Sequence, residues 1–107
     1  QVFLNGGELT GVRVLSKASV AAMTRDQTEA MASLSAAEKS GKRWGLGWRL
    51  REDDFTSRRA FGHGGATGTD AWVDPETGVT HVLLTNDPAG VGPLRARVSN
   101  AVAAAVL

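Results

Sequence analysis

The sequence contains no cysteine and no tyrosine among its 107 residues. The absence of cysteine excludes disulfides, thiolate nucleophiles and cysteine-ligated metals. The sequence also lacks a large net charge, because its 12 basic residues nearly balance its 11 acidic residues. We therefore expect no nucleic-acid partner, since such partners favour a basic surface. No apolar run approaches the roughly 20 residues needed to cross a bilayer, so we expect no membrane span.

The residues that are present suit one globular domain. The hydrophobic fraction is 42% and the charged fraction is 21%, which is typical of a chain that buries a core, and the length suits one domain rather than two. The first residue is Gln1 rather than methionine. We interpret residues 1–107 as a single segment of a longer protein, and any export signal would then lie upstream of Gln1.

The first half of the chain predicts short helices and loops. Residues 9–15 predict an irregular turn, and Ser16 is a typical N-cap for a short helix that ends near Thr24. Residues 28–43 are rich in Ser, Ala, Glu and Lys and lack a strong apolar stripe. We expect them to form a mobile loop in which the capping box at 35–38 starts one helical turn.

The second half predicts antiparallel strands. Alternation of apolar and polar residues over 44–51 indicates a half-buried strand, and 52–54 would be its turn. Residues 60–65 and 67–73 predict a second strand that is broken or bent by glycine. The Asp-Pro-Glu-Thr-Gly run at 74–78 is a hairpin turn. The nearly continuous apolar run at 79–85 then indicates a central strand.

A C-terminal helix completes the predicted fold. Pro93 suits a first helical position. The spacing of the helix predicts one apolar face, made of Leu94, Val98, Ala101, Val102 and Ala105, with Arg95, Ser99 and Asn100 mostly opposite. The predicted class is α+β, with this helix packed on an antiparallel sheet.

Residues 61–69, FGHGGATGT, place a histidine among glycines. An exposed imidazole at His63 beside unpaired backbone N–H groups can bind an anion or stabilise an oxyanion. A glycine-kinked strand with an incidental surface histidine is the alternative that local sequence leaves open. A Walker phosphate loop is excluded by the absence of a following Lys-Ser or Lys-Thr pair. A dinucleotide fingerprint is excluded because strand-like residues follow.

The second histidine, His81, lies inside the run at 79–85 and is expected to pack in or on the sheet. Across the turn at 74–78 it would pair near Ala71, well away from His63. A two-histidine metal site is therefore not expected. We expect neither a metal nor a cofactor.

Four stretches in series carry a family resemblance: LNGGELTGVRVLSKASVAAMT, WGLGW, FGHGGATGT and WVDPETGVTHVLLTN. Together the stretches resemble the C-terminal part of the serine hydrolases related to class C β-lactamases and penicillin-binding proteins. The resemblance implies the C-terminal portion of a β-lactamase/transpeptidase-like fold. It also implies acyl transfer to or hydrolysis of an ester, amide or β-lactam, without a cofactor.

The resemblance places the third catalytic motif of the family at residues 63–65. His63 would replace the lysine common in β-lactamases and would orient the substrate or relay a proton near the leaving group. The backbone N–H of Ala66 would be one oxyanion donor, and Gly64, Gly65 and Thr67 would border the substrate along a sheet edge. A histidine supplies no permanent cation at neutral pH, which disfavours penicillin hydrolysis.

Two other motifs of the family are absent. Val14, Ala36 and Lys39 stand three residues before the lysines at 17, 39 and 42, so Ser-x-x-Lys does not occur. A Tyr-x-Asn motif is impossible without tyrosine. We therefore predict that a missing N-terminal part carries the nucleophile and that this chain alone is inactive.

Two alternatives remain at this point. One is a non-catalytic binding or regulatory domain of the same fold, and the other is a small unrelated α+β protein that binds an anion. Under every hypothesis, three strands and a helix leave sheet edges open, which predicts self-association.

Overall fold

The computed structural model describes residues 1–51, 55–87 and 93–106. In chain order the elements are β1 (Glu8–Leu9), β2 (Val12–Arg13), α1 (Lys17–Thr24), α2 (Ala36–Gly41), β3 (Arg49–Leu50), β4 (Phe61–Gly64), β5 (Asp70–Asp74), β6 (Val79–Leu83) and α3 (Pro93–Ala104). Strands β1 and β2 form a hairpin, and β3-β4-β5-β6 form an antiparallel sheet. The α+β class is confirmed.

The N-terminal third begins with a glycine turn and a capped helix. The Ser16 hydroxyl accepts a hydrogen bond from the Ser19 N–H at 2.9 Å, and α1 ends at Thr24, so both predicted helix ends are confirmed. The predicted irregular turn at 9–15 is wrong, because β1 and β2 pair there. Thr10 and Gly11 both have positive φ, at 49° and 81°, as a tight two-residue hairpin loop requires.

The predicted capping box is confirmed in α2. The Ser35 hydroxyl accepts from the Glu38 N–H, and the Glu38 carboxylate accepts from the Ser35 N–H at 2.9 Å. The resulting helix has six residues, which exceeds the one turn we expected. The mobility of residues 28–43 stays a prediction.

The second strand, predicted as 60–65 and 67–73 with a glycine break or bend between the two parts, is in fact two strands. Residues 61–64 and 70–74 are separate strands that pair with each other, with Gly64 opposite Asp70. The turn between them closes through a hydrogen bond from the Gly65 N–H to the Thr69 carbonyl at 2.8 Å. The glycine-containing turn thus reverses the chain completely, which goes beyond a break or bend within one strand.

Two further strand predictions needed correction. The strand predicted at 44–51 shrinks to Arg49–Leu50, because Gly47 at φ 82° turns the chain. The strand predicted as central at 79–85 lies at an edge of the described sheet. The hairpin turn at 74–78 is confirmed by the Gly78 N–H, which donates to the Asp74 carbonyl at 2.9 Å. The turn predicted at 52–54 falls outside the described residues.

Helix α3 packs on the sheet through a polar contact. The buried Trp72 indole donates to the Ser99 hydroxyl at 2.9 Å, and Arg51 donates to the same oxygen at 3.3 Å. The buried residues of the helix are Ser99 and Ala103, while Ala101 is exposed. The buried face of α3 is therefore rotated from the apolar face that the sequence predicted. Ser99, which that prediction placed on the outer face, can be buried because these two donors satisfy the hydrogen-bonding capacity of its hydroxyl.

The opposite face of the sheet carries an aromatic cluster. Phe61 is 1% exposed, and its ring lies 5.6 Å from Phe3 and 5.8 Å from Trp48. These edge and tilted contacts are favourable ring geometries. They attach the first residues of the chain to the sheet. Within the described residues, no helix combines the length and apolarity that crossing a membrane requires.

Candidate active site

The predicted site residues gather at one end of the β4–β5 hairpin. Strand β3 pairs with Phe61 and Gly62 only, so the part of β4 that carries His63 has β5 alone as a strand neighbour in the described sheet. His63 is exposed. Strand β4 thus lies between β3 and β5 in the described sheet, and only its end at His63 and Gly64 extends past the pairing with β3.

Trp44 lies beside His63. The two ring centroids are 5.3 Å apart and the planes are tilted by 54°. His63 and Phe61 are alternate residues of β4 and therefore lie on the same face of the sheet. The aromatic cluster continues along this face to the histidine, so the imidazole has an aromatic wall on one side.

The amides of the hairpin turn differ in their hydrogen bonding. The Gly65 N–H is bonded to the Thr69 carbonyl. The Ala66 N–H, one residue later, donates no hydrogen bond to any described residue, and Ala66 is exposed. The Thr67 carbonyl accepts from the Thr85 hydroxyl and the Asp87 N–H. The turn therefore presents the Ala66 N–H as a donor with no partner among the described residues, while the turn is tied to the segment after β6.

The glycines make room for neighbours within the chain. A Cβ on Gly64 would lie 2.4 Å from Arg95 Nη1, and a Cβ on Gly65 would lie 2.2 Å from Thr69 Oγ1. On those sides, side chains of the protein occupy the space. Approach of a substrate along the remaining edge of residues 64–67 stays a prediction.

Arg95 is a site residue that the sequence analysis missed. It was expected on the outer face of α3, yet its Nη2 donates to the Gly65 carbonyl at 2.6 Å. Arg95, Ser99 and Ala103 follow one another at four-residue spacing, which places them on one side of a helix. That spacing could have indicated the buried side of the helix. The apolar pattern did not reveal it, because only Ala103 of the three residues is apolar.

His81 lies in the core, which agrees with the packing role expected for it. It pairs with Trp72, the residue next to Ala71, as expected, and the rings of His81 and Trp72 stack at 5.0 Å. Burial lowers the pKa of His81, with Asp70 raising it and Arg51 lowering it further. Because Trp72 contacts α3, this histidine lies on the face away from His63. Among the residues with described positions, no cluster of three or more His, Asp or Glu side chains is arranged to hold a metal.

The comparison with curated proteins identifies hydrolases. The chain is 32% identical over 85 residues to the esterase/β-lactamase LipL of Mycobacterium tuberculosis, covering 77% of this chain and 18% of that protein. It is 31% identical over 96 residues to a putative D-alanyl-D-alanine carboxypeptidase of Salmonella typhi, covering 82% of this chain and 20% of that protein. The chain thus spans about a fifth of the length of these relatives.

Solved structures agree with these relatives. A penicillin-binding protein homologue from Caulobacter crescentus superposes with a TM-score of 0.71 at 26% identity, covering 99% of this chain and 29% of that one. A β-lactamase from Mycobacterium bovis gives 0.69 at 28% identity, covering 99% and 41%. The β-lactamase family model matches residues 3–105. The chain therefore belongs to the β-lactamase family.

Proposed function

We propose that this chain is the C-terminal part of a serine hydrolase that transfers or hydrolyses the acyl group of an ester, amide or β-lactam. Two relatives support the reaction class, since one is an esterase/β-lactamase and the other a putative D-alanyl-D-alanine carboxypeptidase. Membership in the family also rules out the alternative of an unrelated anion-binding protein.

One observation carries the proposal: an exposed imidazole and an unbonded backbone donor lie at the same hairpin end. His63 orients the substrate or relays a proton to the leaving group. The Ala66 N–H donates to the oxyanion that forms when the acyl carbon becomes tetrahedral. Donors aimed at such an oxyanion often contribute about 3 kcal/mol of barrier lowering each.

The nucleophile belongs to another part of the protein in this proposal. The chain has no Ser-x-x-Lys motif, in which lysine assists deprotonation of the serine. An N-terminal part would supply that motif and Tyr-x-Asn, and it would be the partner with which this segment encloses the small-molecule substrate.

Labelling of the nucleophile tests whether it lies outside these 107 residues. The 107-residue chain should take no fluorophosphonate label and hydrolyse no p-nitrophenyl ester. The protein extended by the segment encoded upstream should do both. Labelling of the short chain would contradict the proposal, and an upstream segment without Ser-x-x-Lys would favour the non-catalytic domain.

The role of His63 is tested in the unlabelled extended protein. His63→Ala should lower kcat/KM by roughly a hundredfold, the lower end of general acid–base contributions, with an unchanged melting temperature. Thr80→Ala, at an exposed position of β6, is the matched control and should retain activity. Full activity of His63→Ala would make His63 a bystander.

A further inference from the structure

The peptide group that joins Gly65 to Ala66 has two differently bonded ends. Its carbonyl oxygen accepts from Arg95 Nη2 at 2.6 Å and from the Gly68 N–H at 3.2 Å. Its N–H is the Ala66 donor, which has no partner among the described residues. One end of this amide is therefore bonded to a cation while the other end is free.

A cation at the carbonyl oxygen changes the donor strength of the same amide. The guanidinium draws electron density toward oxygen, which increases the double-bond character of C–N and the positive charge on the N–H hydrogen. Hydrogen bonds that involve an ionised partner are roughly twice as strong as neutral ones. Bonds in series also polarise one another.

The fold holds Arg95 in this position. The Gly64 backbone leaves a slot for the guanidinium, since a Cβ there would lie 2.4 Å from Nη1. Helix α3 carries the arginine and is itself fixed to the sheet by the Ser99–Trp72 hydrogen bond. Within the described part of the chain no carboxylate pairs with Arg95. Among the residues with described positions, its charge therefore acts on the Gly65 carbonyl with no acid paired to it.

We propose that Arg95 is a positioning residue that polarises the Gly65–Ala66 peptide group and thereby strengthens the Ala66 N–H as an oxyanion donor. The catalytic half of this statement rests on the proposed function. The polarisation itself rests only on the contacts of Arg95 and is measurable in the chain alone.

The first experiment is nuclear magnetic resonance of the 107-residue chain. In Arg95→Gln the Ala66 amide nitrogen should shift upfield, because the charged hydrogen bond to the preceding carbonyl is lost, and Arg95→Lys should restore part of the shift. Arg97→Gln, an exposed arginine on the same helix, is the control and should leave the resonance in place. An unchanged Trp72 indole resonance reports an intact fold.

Gly64→Ala provides a second variant that retains the arginine. The added Cβ displaces the guanidinium from its slot, so the Ala66 resonance should move in the same direction as in Arg95→Gln. An Ala66 resonance that stays at its wild-type position in both folded variants would overturn the polarisation.

The second experiment uses the protein extended by its upstream segment. Arg95→Gln should lower kcat by about tenfold with little change in KM, since the oxyanion exists only in the transition state. The affinity for a boronic acid transition-state analogue should fall by the same factor, and Arg95→Lys should recover part of both. A shift in the Ala66 resonance without a loss of kcat would overturn the catalytic role of Arg95. An extended protein without any acyl-transfer activity would instead contradict the proposed function.

Discussion

Gly62 and Gly64 are alternate residues of β4, yet their missing side chains serve different neighbours. A Cβ on Gly62 would lie 2.1 Å from the Ala71 carbonyl oxygen, which belongs to the backbone of the paired strand. A Cβ on Gly64 would meet only the end of the Arg95 side chain. Backbone cannot move without disturbing the sheet, whereas a side chain can choose another rotamer.

This contrast predicts unequal effects on stability. Gly62→Ala should lower the free energy of unfolding by about 3 kcal/mol, the upper end of overpacking penalties, while Gly64→Ala should lower it by less than about 1 kcal/mol. Urea denaturation of the two variants measures the difference. Equal losses would show that the Arg95 side chain is as fixed as the backbone.

Ser99 provides the second prediction at the scale of single residues. Its hydroxyl is the acceptor for the Trp72 indole and for Arg51, and the residue is 2% exposed. Ser99→Ala leaves a buried donor unsatisfied and should lower the free energy of unfolding by about 1–3 kcal/mol. Ser33→Ala, in an exposed loop, should lie within about 0.5 kcal/mol of wild type. A Ser99→Ala variant as stable as this control would contradict the structural role of the hydrogen bond.

At the scale of elements, turns and caps were predictable because their residues act locally. The caps at Ser16 and Ser35 bond to N–H groups three residues away, so the interaction is contained in the sequence window. The 74–78 turn likewise depends on its own glycine. The hydrogen bonds that hold the start of this turn were not predictable, because the N–H and hydroxyl of Ser57 donate to the Asp74 carboxylate from 17 residues away.

Helix α3 shows why the remaining elements could not be predicted. Counting apolar residues assumes that burial follows hydrophobicity, but Ser99 is buried by partners on β5 and next to β3. The same limit applies at the site. His63 and the glycines were visible in the sequence, whereas Arg95 reaches Gly65 from 30 residues away. Contacts of that range depend on the tertiary fold.

Strand β6 carries the third prediction, because it holds a buried histidine against Trp72. Burial lowers the pKa of His81 below its ordinary value of 6.5. As the pH falls through 6.5, the unfolded chain therefore binds a proton before the folded chain does. The free energy of unfolding should decrease from pH 7.5 toward pH 5.5.

His81→Phe retains the stacked ring and removes the titrating group. In this variant the decrease between pH 7.5 and 5.5 should become smaller, as measured by urea denaturation across the range. Asp70 and Arg51, which also act on His81, remain in place. A slope equal to that of wild type would assign the pH dependence to other groups.

At the scale of the whole molecule, the described sheet ends at an uncovered strand. β6 pairs with β5 and has no strand on its outer side among the residues with described positions. Val82 and Leu84, on and just after this strand, are 60% and 81% exposed. An uncovered edge with apolar neighbours favours pairing with another chain.

We therefore predict concentration-dependent self-association of the isolated chain in sedimentation velocity. Val82→Lys combined with Leu84→Lys should make it monomeric, because charges at an edge oppose strand pairing. Val12→Lys changes a valine that is 63% exposed on β2, a strand of the other sheet, and should leave the association intact. A monomeric wild-type chain at high concentration would contradict the prediction.

The tryptophan next to His63 has a consequence for how the molecule can be observed. Trp44 faces the candidate site, whereas Trp72 is 2% exposed beneath α3. The intrinsic fluorescence of the protein therefore combines a signal from the site, a signal from the core and a third from Trp48 in the aromatic cluster. Once Trp48 is replaced by phenylalanine, substituting Trp44 or Trp72 in turn separates the site signal from the core signal, so binding near the imidazole and detachment of the helix become optically distinct events.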